Sequence, residues 1–372
     1  QMVASRSVVT ASAGSAETVA SGRFTVIHRT LQGDDVLITK VLKETSDGAQ
    51  HGEFRNEINA YRRFKASPSL FLHFPRLADA NCGPMDNRIH LEMVGPNLDD
   101  LRLKILEREL SADASLRIGL QLLTALRSLH RSDLLHLSLQ PKHVLIGLAH
   151  NASRVYLVGL GGVRQIGKGL PFSSLHRPDH PYRPLAERNE PTVRDDIEGW
   201  FWTLMDMLAR RRISFMRVNG KKKLTRERCQ RTMEFTEIQK KKAELVASEN
   251  RFNENGDLRV PSGVFEIAYT IFNAYKDERL NDCDIHDVLG DKVSSILQDI
   301  EAKEHSCYPW EKDHHAAAIH AMMGGQTEAR DVQPRLAKNT DTSGEDEDKD
   351  AAHFRKSAKP SLLDGVSNKD DA

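Results

Sequence analysis

Apolar and polar positions follow a strand's period in the first part of the chain and a helix's period afterwards. "RFTVIHRTL" and "DDVLITKVLKE" gather β-branched and aromatic residues on either side of a "QGDD" turn, which predicts a β-hairpin. "EFRNEINAYRRF" then spaces Phe54, Ile58, Tyr61 and Phe64 along one face of a helix. "RIHLEM" predicts another strand, closed by Gly95 and Pro96. From there the helical period dominates. "SADASLRIGLQLLTALRSLH" aligns Leu116, Leu120, Leu123 and Leu126, with Ser111 placed as N-cap and Asp113 in the first turn. "HVLIG" and "VYLVGL" predict a small hairpin, and "DDIEGWFWTLMDMLAR" a strongly apolar central helix. "GVFEIAYTIFNAY" and "DIHDVLGDKVSSILQDI" add further helices. Strands with one helix, followed by helices, predict an α+β chain in two lobes, a small β-rich one and a larger helical one.

Composition narrows this little. Of 372 residues, 39% are hydrophobic and 28% charged, enough for a large core without disulfides or a structural metal. The folded domain is expected over 23–300. Residues 1–22, mostly Ser, Ala, Thr and Val, are expected to be disordered, as is most of 301–372, which is poor in large apolar residues. Basic and acidic residues balance at 53 each, so net charge points to no partner. The basic run over 210–242 and the acidic "EDEDKD" at 345–350 are ordinary solvated faces, and no nucleic-acid partner is expected. Cys82, Cys229, Cys283 and Cys307 are scattered, without CxxC spacing. Reduced thiols in an intracellular, cytoplasmic protein are therefore expected. No apolar run of roughly 18 residues predicts a membrane span, and the first residues lack the apolar stretch of a secretory signal. Gln1 rather than Met opens the sequence, as in a fragment of a longer chain.

Four stretches carry more specific information. "GPNLDDLR", "LQLLTALRSLHRSDLLHLSLQPKHVLIG", "RVYLVGLGGVRQI" and "VRDDIEGWFWTLMDML" occur in that order. Together they resemble the post-hinge motif, the helix E and catalytic loop, the metal-binding Asp-Phe-Gly strand and the helix F opening of protein kinases. The resemblance is to the casein kinase I superfamily, closest to its tau-tubulin kinase branch, over roughly 23–292. It implies a protein-kinase-like fold.

Carried over residue by residue, the resemblance implies a degenerate site. Lys40 matches the strand lysine that holds nucleotide phosphates and Glu57 the helix C glutamate that orients it; the pair can equally be a structural ion pair. Ser138 stands at the position of the catalytic base, and a hydroxyl does not accept a proton at neutral pH without a neighbouring base. Gln140 replaces the lysine that neutralises the moving phosphoryl group. His143 and Gly159 replace the two metal ligands, and neither offers the hard oxygen that magnesium prefers. The glycine-rich phosphate hairpin is also missing from Phe24 to Lys40, where Gly33 is the single glycine. Ile38 is expected to fill part of the adenine pocket, with Leu91 and Leu145 completing an apolar core. His136 and Asp196 match framework residues that hold the catalytic loop, and Trp200, Phe201, Leu204 and Met205 the apolar spine. The stretch from Gly161 to about Pro191 matches the activation segment, its prolines setting an extended course.

The implied function is that of a catalytically inactive pseudokinase acting as a protein-binding scaffold. No metal and no cofactor are expected. Two alternatives keep ATP: a divergent Ser/Thr kinase with weak phosphotransferase activity, and a sensor holding ATP through Lys40 without magnesium. Three weaker features complete the survey. His314, His315 and His320 lack the i, i+4 spacing of a helical zinc site. "RRRISFMRVNGKKK" could hold an acidic peptide, or be a solvated loop. Ser343, before acidic residues, fits an acid-directed phosphorylation site.

Overall fold

The computed structural model describes residues 16–22, 24–32, 35–83, 86–106, 110–168, 190–208, 239–247, 260–273, 284–300 and 307–323. Ser343, Cys229, Cys283, the basic run over 210–238 and the whole of the segment from 169 to 189 lie outside the described residues.

Five antiparallel strands form one sheet. They are β1 (Glu17–Ser21), β2 (Thr25–Gln32), β3 (Asp35–Leu42), β4 (Leu77–Cys82) and β5 (Asn87–Glu92), in the order β1-β2-β3-β5-β4. The expected hairpin is β2–β3, paired without interruption from Thr25↔Leu42 to Gln32↔Asp35. Between β3 and β4 runs helix α1 (Gly48–Ala66). Asp47 starts it with a capping box: its carboxylate accepts from the Gln50 N–H at 3.0 Å, and the Gln50 side chain accepts from the Asp47 N–H at 2.9 Å. The stripe Phe54, Ile58, Tyr61 and Phe64 is buried as its spacing predicts. Each such side chain removed from water is worth roughly 1.5–3 kcal/mol. Phe64 continues the core by stacking on Phe71, ring centroids 4.2 Å apart.

The remaining described elements are mainly helical. They are α2 (Leu98–Lys104), α3 (Ala112–His130), α4 (Val193–Leu208), α5 (239–246), α6 (Val264–Phe272), α7 (Asp284–Asp299) and α8 (Asp313–Met322). Ser111 caps α3 as expected, its hydroxyl accepting from the Ala114 N–H at 3.1 Å. Helix α4 is the core of this part: Trp200, Phe201, Leu204 and Met205 have no exposed surface. Gly119 lets α3 approach it. A Cβ there would lie 3.3 Å from Leu204, and the Gly119 carbonyl accepts from the Trp200 indole at 2.8 Å.

Two small ribbons carry the segments of interest. β6 (Leu134–Leu135) pairs with β9 (Arg164–Gln165), and β7 (Val144–Ile146) with β8 (Val155–Leu157), both antiparallel. The second is the expected small hairpin. The loop 136–143 and the turn 158–163 are suspended between these ribbons.

Two ordered pieces lie where disorder was expected. β1 falls within 1–22, and all five of its residues are exposed. With no buried face it shows no apolar alternation; backbone pairing to β2 holds it. Residues 307–323 fall within 301–372 and dock through only three buried apolar side chains, Tyr308, Trp310 and Ile319. The Trp310 indole donates to the Ala152 carbonyl at 2.8 Å, and Tyr308 stacks on Trp310 at 4.4 Å. The end of α8 reaches the sheet, where the Arg29 guanidinium donates to the Met323 carbonyl at 2.8 Å. Among the described residues no helix is long and apolar enough to cross a membrane.

Candidate functional site

Strand β3 and helix α1 build the first half of the site. Ile38, Lys40 and Leu42 share one face of β3 by the strand's period of two. Lys40 Nζ lies 2.6 Å from Glu57 Oε2; the Glu57 side chain is 5% exposed and that of Lys40 22%. The pair is therefore made, its carboxylate enclosed and its amine still reachable. One turn earlier on α1, burial raises the Glu53 carboxyl above its ordinary value, opposed by the positive charges of Arg164 and Lys40. A Cβ at Gly161 would lie 3.6 Å from the Glu53 Cβ and carbonyl oxygen, so α1 passes close to this turn.

Helix α4 builds the second half from below. Asp196, fully enclosed, accepts the His136 N–H at 2.7 Å, the Leu137 N–H at 2.6 Å and the His130 Nε2–H at 2.8 Å. Both backbone donors belong to the loop, and Leu137 sits there at φ 58°. A non-glycine residue is costly in that conformation, so the two bonds from one carboxylate hold it in place. His130 Nδ1 lies 2.9 Å from His286 Nε2 on α7. Burial would raise the Asp196 pKa, but the bond from His130 and the neighbouring imidazoles outweigh it and hold the group below the usual carboxylate value. His136 Nε2 donates to the Val158 carbonyl at 3.0 Å, and burial lowers its pKa. His136 and Asp196 thus fasten the loop to the turn and to α4.

Ser138, Gln140, His143 and Gly159 come together on this framework. The His143 Nδ1 lies 2.7 Å from the Ser138 carbonyl, which can only accept, so this nitrogen carries the proton. The Ser138 hydroxyl, 3.3 Å from the same nitrogen, therefore finds no base there. The Gln140 amide makes a long 3.5 Å contact to that carbonyl.

The geometry at Gly159 is tighter still. Its φ of 85° lies in the left-handed region, and a Cβ built on it would meet the His143 ring at 2.6–2.8 Å. The imidazole fills the space in which a side chain at 159 would start. The positions that the kinase resemblance assigns to two magnesium ligands offer one imidazole, with Nδ1 committed, and no carboxylate. That donor set does not fit a hard divalent cation.

Two details depart from the sequence expectation. β1 pairs antiparallel with β2, and the Gly22 N–H donates to the Thr25 carbonyl at 2.9 Å. β1 lies within 1–22, the stretch expected to be disordered. Further, Leu91 is buried, as expected of a closing core residue, whereas Ile38 and Leu145 are only half-buried.

Sequence reasoning missed His130 and His286, which sit 156 positions apart and meet behind Asp196. The signal for His130 was a polar residue ending the buried stripe of α3. It also missed Lys242, wholly buried on α5 with its amine 4.7 Å from the centre of the Trp202 ring; burial lowers its pKa to about 7. His314, His315 and His320 all lie on α8, where His315 Nδ1 contacts the Pro309 carbonyl at 2.6 Å.

Comparison with known proteins agrees at a coarse level. No protein-family model matches the chain. Among curated proteins, the chain is 29% identical over 136 residues to "Putative serine/threonine-protein kinase ZK507.3" of Caenorhabditis elegans, covering 37% of this chain and 34% of that protein. It is 26% identical over 162 residues to "Putative serine/threonine-protein kinase ZK507.1" of the same organism, covering 41% and 48%. It is 27% identical over 143 residues to the C. elegans serine/threonine-protein kinase spe-6, covering 36% and 38%. The matches thus span between about a third and a half of these relatives' own lengths. With a five-stranded antiparallel sheet beside a mainly helical part, they support a protein-kinase-like relationship.

Proposed function

We propose that this chain is a pseudokinase of the casein kinase I superfamily, similar to its tau-tubulin kinase branch, and that it works as a protein-binding scaffold without transferring phosphate. The observation that carries the proposal is the fit of the His143 ring against Gly159. Substitution alone would leave a metal site open to restoration by one residue; here the ring stands where the missing side chain would be. Phosphoryl transfer depends almost wholly on positioning and electrostatic stabilisation. The matched base position holds a serine whose nearest imidazole nitrogen is protonated. A general base alone contributes typically ~10²–10⁴-fold in rate.

The framework supports the scaffold half of the proposal. Asp196, His130 and His136 fix the loop backbone although the residues on it lack the matched chemistry. A surface held this firmly can be recognised by shape.

A second reading rests on Lys40 and Glu57. Their ion pair is intact and the amine remains accessible, which favours a protein that still holds nucleotide phosphates through Lys40, without magnesium. The proposal is tested by phosphate transfer. Purified chain is incubated with γ-labelled ATP, magnesium or manganese, and a mixed acidic and basic acceptor. Incorporation into the acceptor or the chain itself is expected to equal that of the Lys40→Ala variant. Incorporation that depends on metal and is lost in that variant would show a divergent kinase instead.

A further inference from the structure

A cleft of about 270 Å³ opens between α1 and the β6–β9 ribbon, and neither Lys40 nor Glu57 lines it. Asn56, Asn59 and Arg63 line one wall, at a spacing that sets them on one face of the helix. Arg164 and Gln165 line the other. The floor is apolar, formed by the buried Ala60, Leu134 and Val163.

Three properties of this lining point to a ligand. Every polar side chain in it carries N–H donors, and no acidic residue lines it. Among the described residues, the side chains of Asn56, Asn59, Arg63 and Gln165 make no hydrogen bond or ion pair within the chain. Their neighbours on the same helix do: Arg62 donates to the Ala80 carbonyl at 3.2 Å and Lys65 to the Ala78 carbonyl at 2.9 Å. Arg164 is held in place, donating to the Val163 carbonyl at 2.8 Å; burial lowers its pKa, opposed by the nearby negative charge of Glu53.

The size limits the occupant. Small-molecule sites commonly enclose roughly 300–1,000 Å³, so this cleft suits one or two side chains better than a nucleotide. Guanidinium and carboxamide donors around an apolar floor match an anionic side chain flanked by an apolar one. Ile166, next along the chain, keeps 37% of its surface exposed and extends the apolar character outward.

We propose that this cleft receives an acidic side chain, carboxylate or phosphoryl, carried on an extended segment of a protein partner. The proposal deepens the scaffold reading and rests on it for the occupant being a protein. Its test reads binding alone, so its failure is distinct from a failure of the phosphate-transfer test.

The probes are three fluorescein-labelled heptapeptides with leucine at each end: one with two adjacent glutamates, one with phosphoserine in place of the first, and one with two glutamines. Fluorescence anisotropy with the full chain is expected to show the glutamate or phosphoserine peptide binding at least tenfold more tightly than the glutamine peptide. Arg63→Ala and Asn59→Ala should each weaken that binding fivefold or more, and Arg63→Glu should abolish it. Arg62→Ala, one position along the exposed side of α1, should leave it unchanged. Thermal melting confirms that each variant folds. Equal affinity for all three peptides would overturn the proposal. So would unaltered binding by folded Arg63→Glu, or complete competition by inorganic phosphate at the peptide's own concentration.

Discussion

Gly159→Ala is expected to lower the free energy of unfolding by about 2–5 kcal/mol, a large loss for one methyl group. Two costs add. A side chain at a φ of 85° adopts a left-handed conformation, at roughly 1–2 kcal/mol. Its Cβ must also displace the His143 ring from contacts of 2.6–2.8 Å, and overpacking of this kind typically costs about 1–3 kcal/mol. His143→Ala in the same chain should recover the second part and leave the first. Denaturant unfolding of the two single variants and the double variant measures the coupling, expected at about 1–3 kcal/mol. Additive effects would mean that the ring moves aside freely. Gly159→Asp brings a larger side chain against the same His143 ring and is also expected to be destabilising, although aspartate tolerates the left-handed conformation better than alanine.

Removing the Asp196 carboxylate should be more damaging. Asp196→Ala leaves two backbone N–H groups and the His130 ring without their shared acceptor in a fully enclosed site. A loss of about 3–5 kcal/mol is expected, the usual scale for stripping one member from a buried charged network. The same network sets a pH response. The His136 pKa is lowered by burial, so as pH falls below the ordinary 6.5 the unfolded chain takes up a proton that the folded chain resists, and stability drops. The Asp196 pKa is also lowered, from 3.8, by its hydrogen bonds and neighbouring imidazoles against the cost of burial. Its contribution is complete above 3.8 and is lost as pH falls through the lowered value. Unfolding measured from pH 8 downward should therefore show stability falling in two stages, the lower of which disappears in Asp196→Ala.

What could be read in advance depended on whether a feature is periodic, substituted or spatial. The stripe of α1 and the wholly buried α4 follow from spacing, because one-sided burial imposes a period. β1 does not, because an edge strand exposed on every residue has no side to mark. The segment 307–323 fails for a related reason: Tyr308, Trp310 and Ile319 are too few and too unevenly spaced to form a pattern. At the candidate site, the replaced residues Ser138, Gln140, His143 and Gly159 were legible as residue types. Their mutual fit was not, since nothing along the chain places the His143 ring against the backbone of the turn that follows β8. The half-buried Ile38 and Leu145 make the same point in reverse. A branched side chain announces bulk, but how far it closes a cleft depends on the surfaces facing it.

The central claim is that the kinase-like framework persists without the metal-dependent nucleotide chemistry. It is tested most directly by thermal unfolding of the full chain with millimolar ATP, with and without magnesium, alongside Lys40→Ala referenced to its own nucleotide-free midpoint. The proposed pseudokinase should show no magnesium-dependent rise in midpoint, in either protein. A rise that requires magnesium and is absent from Lys40→Ala would contradict it.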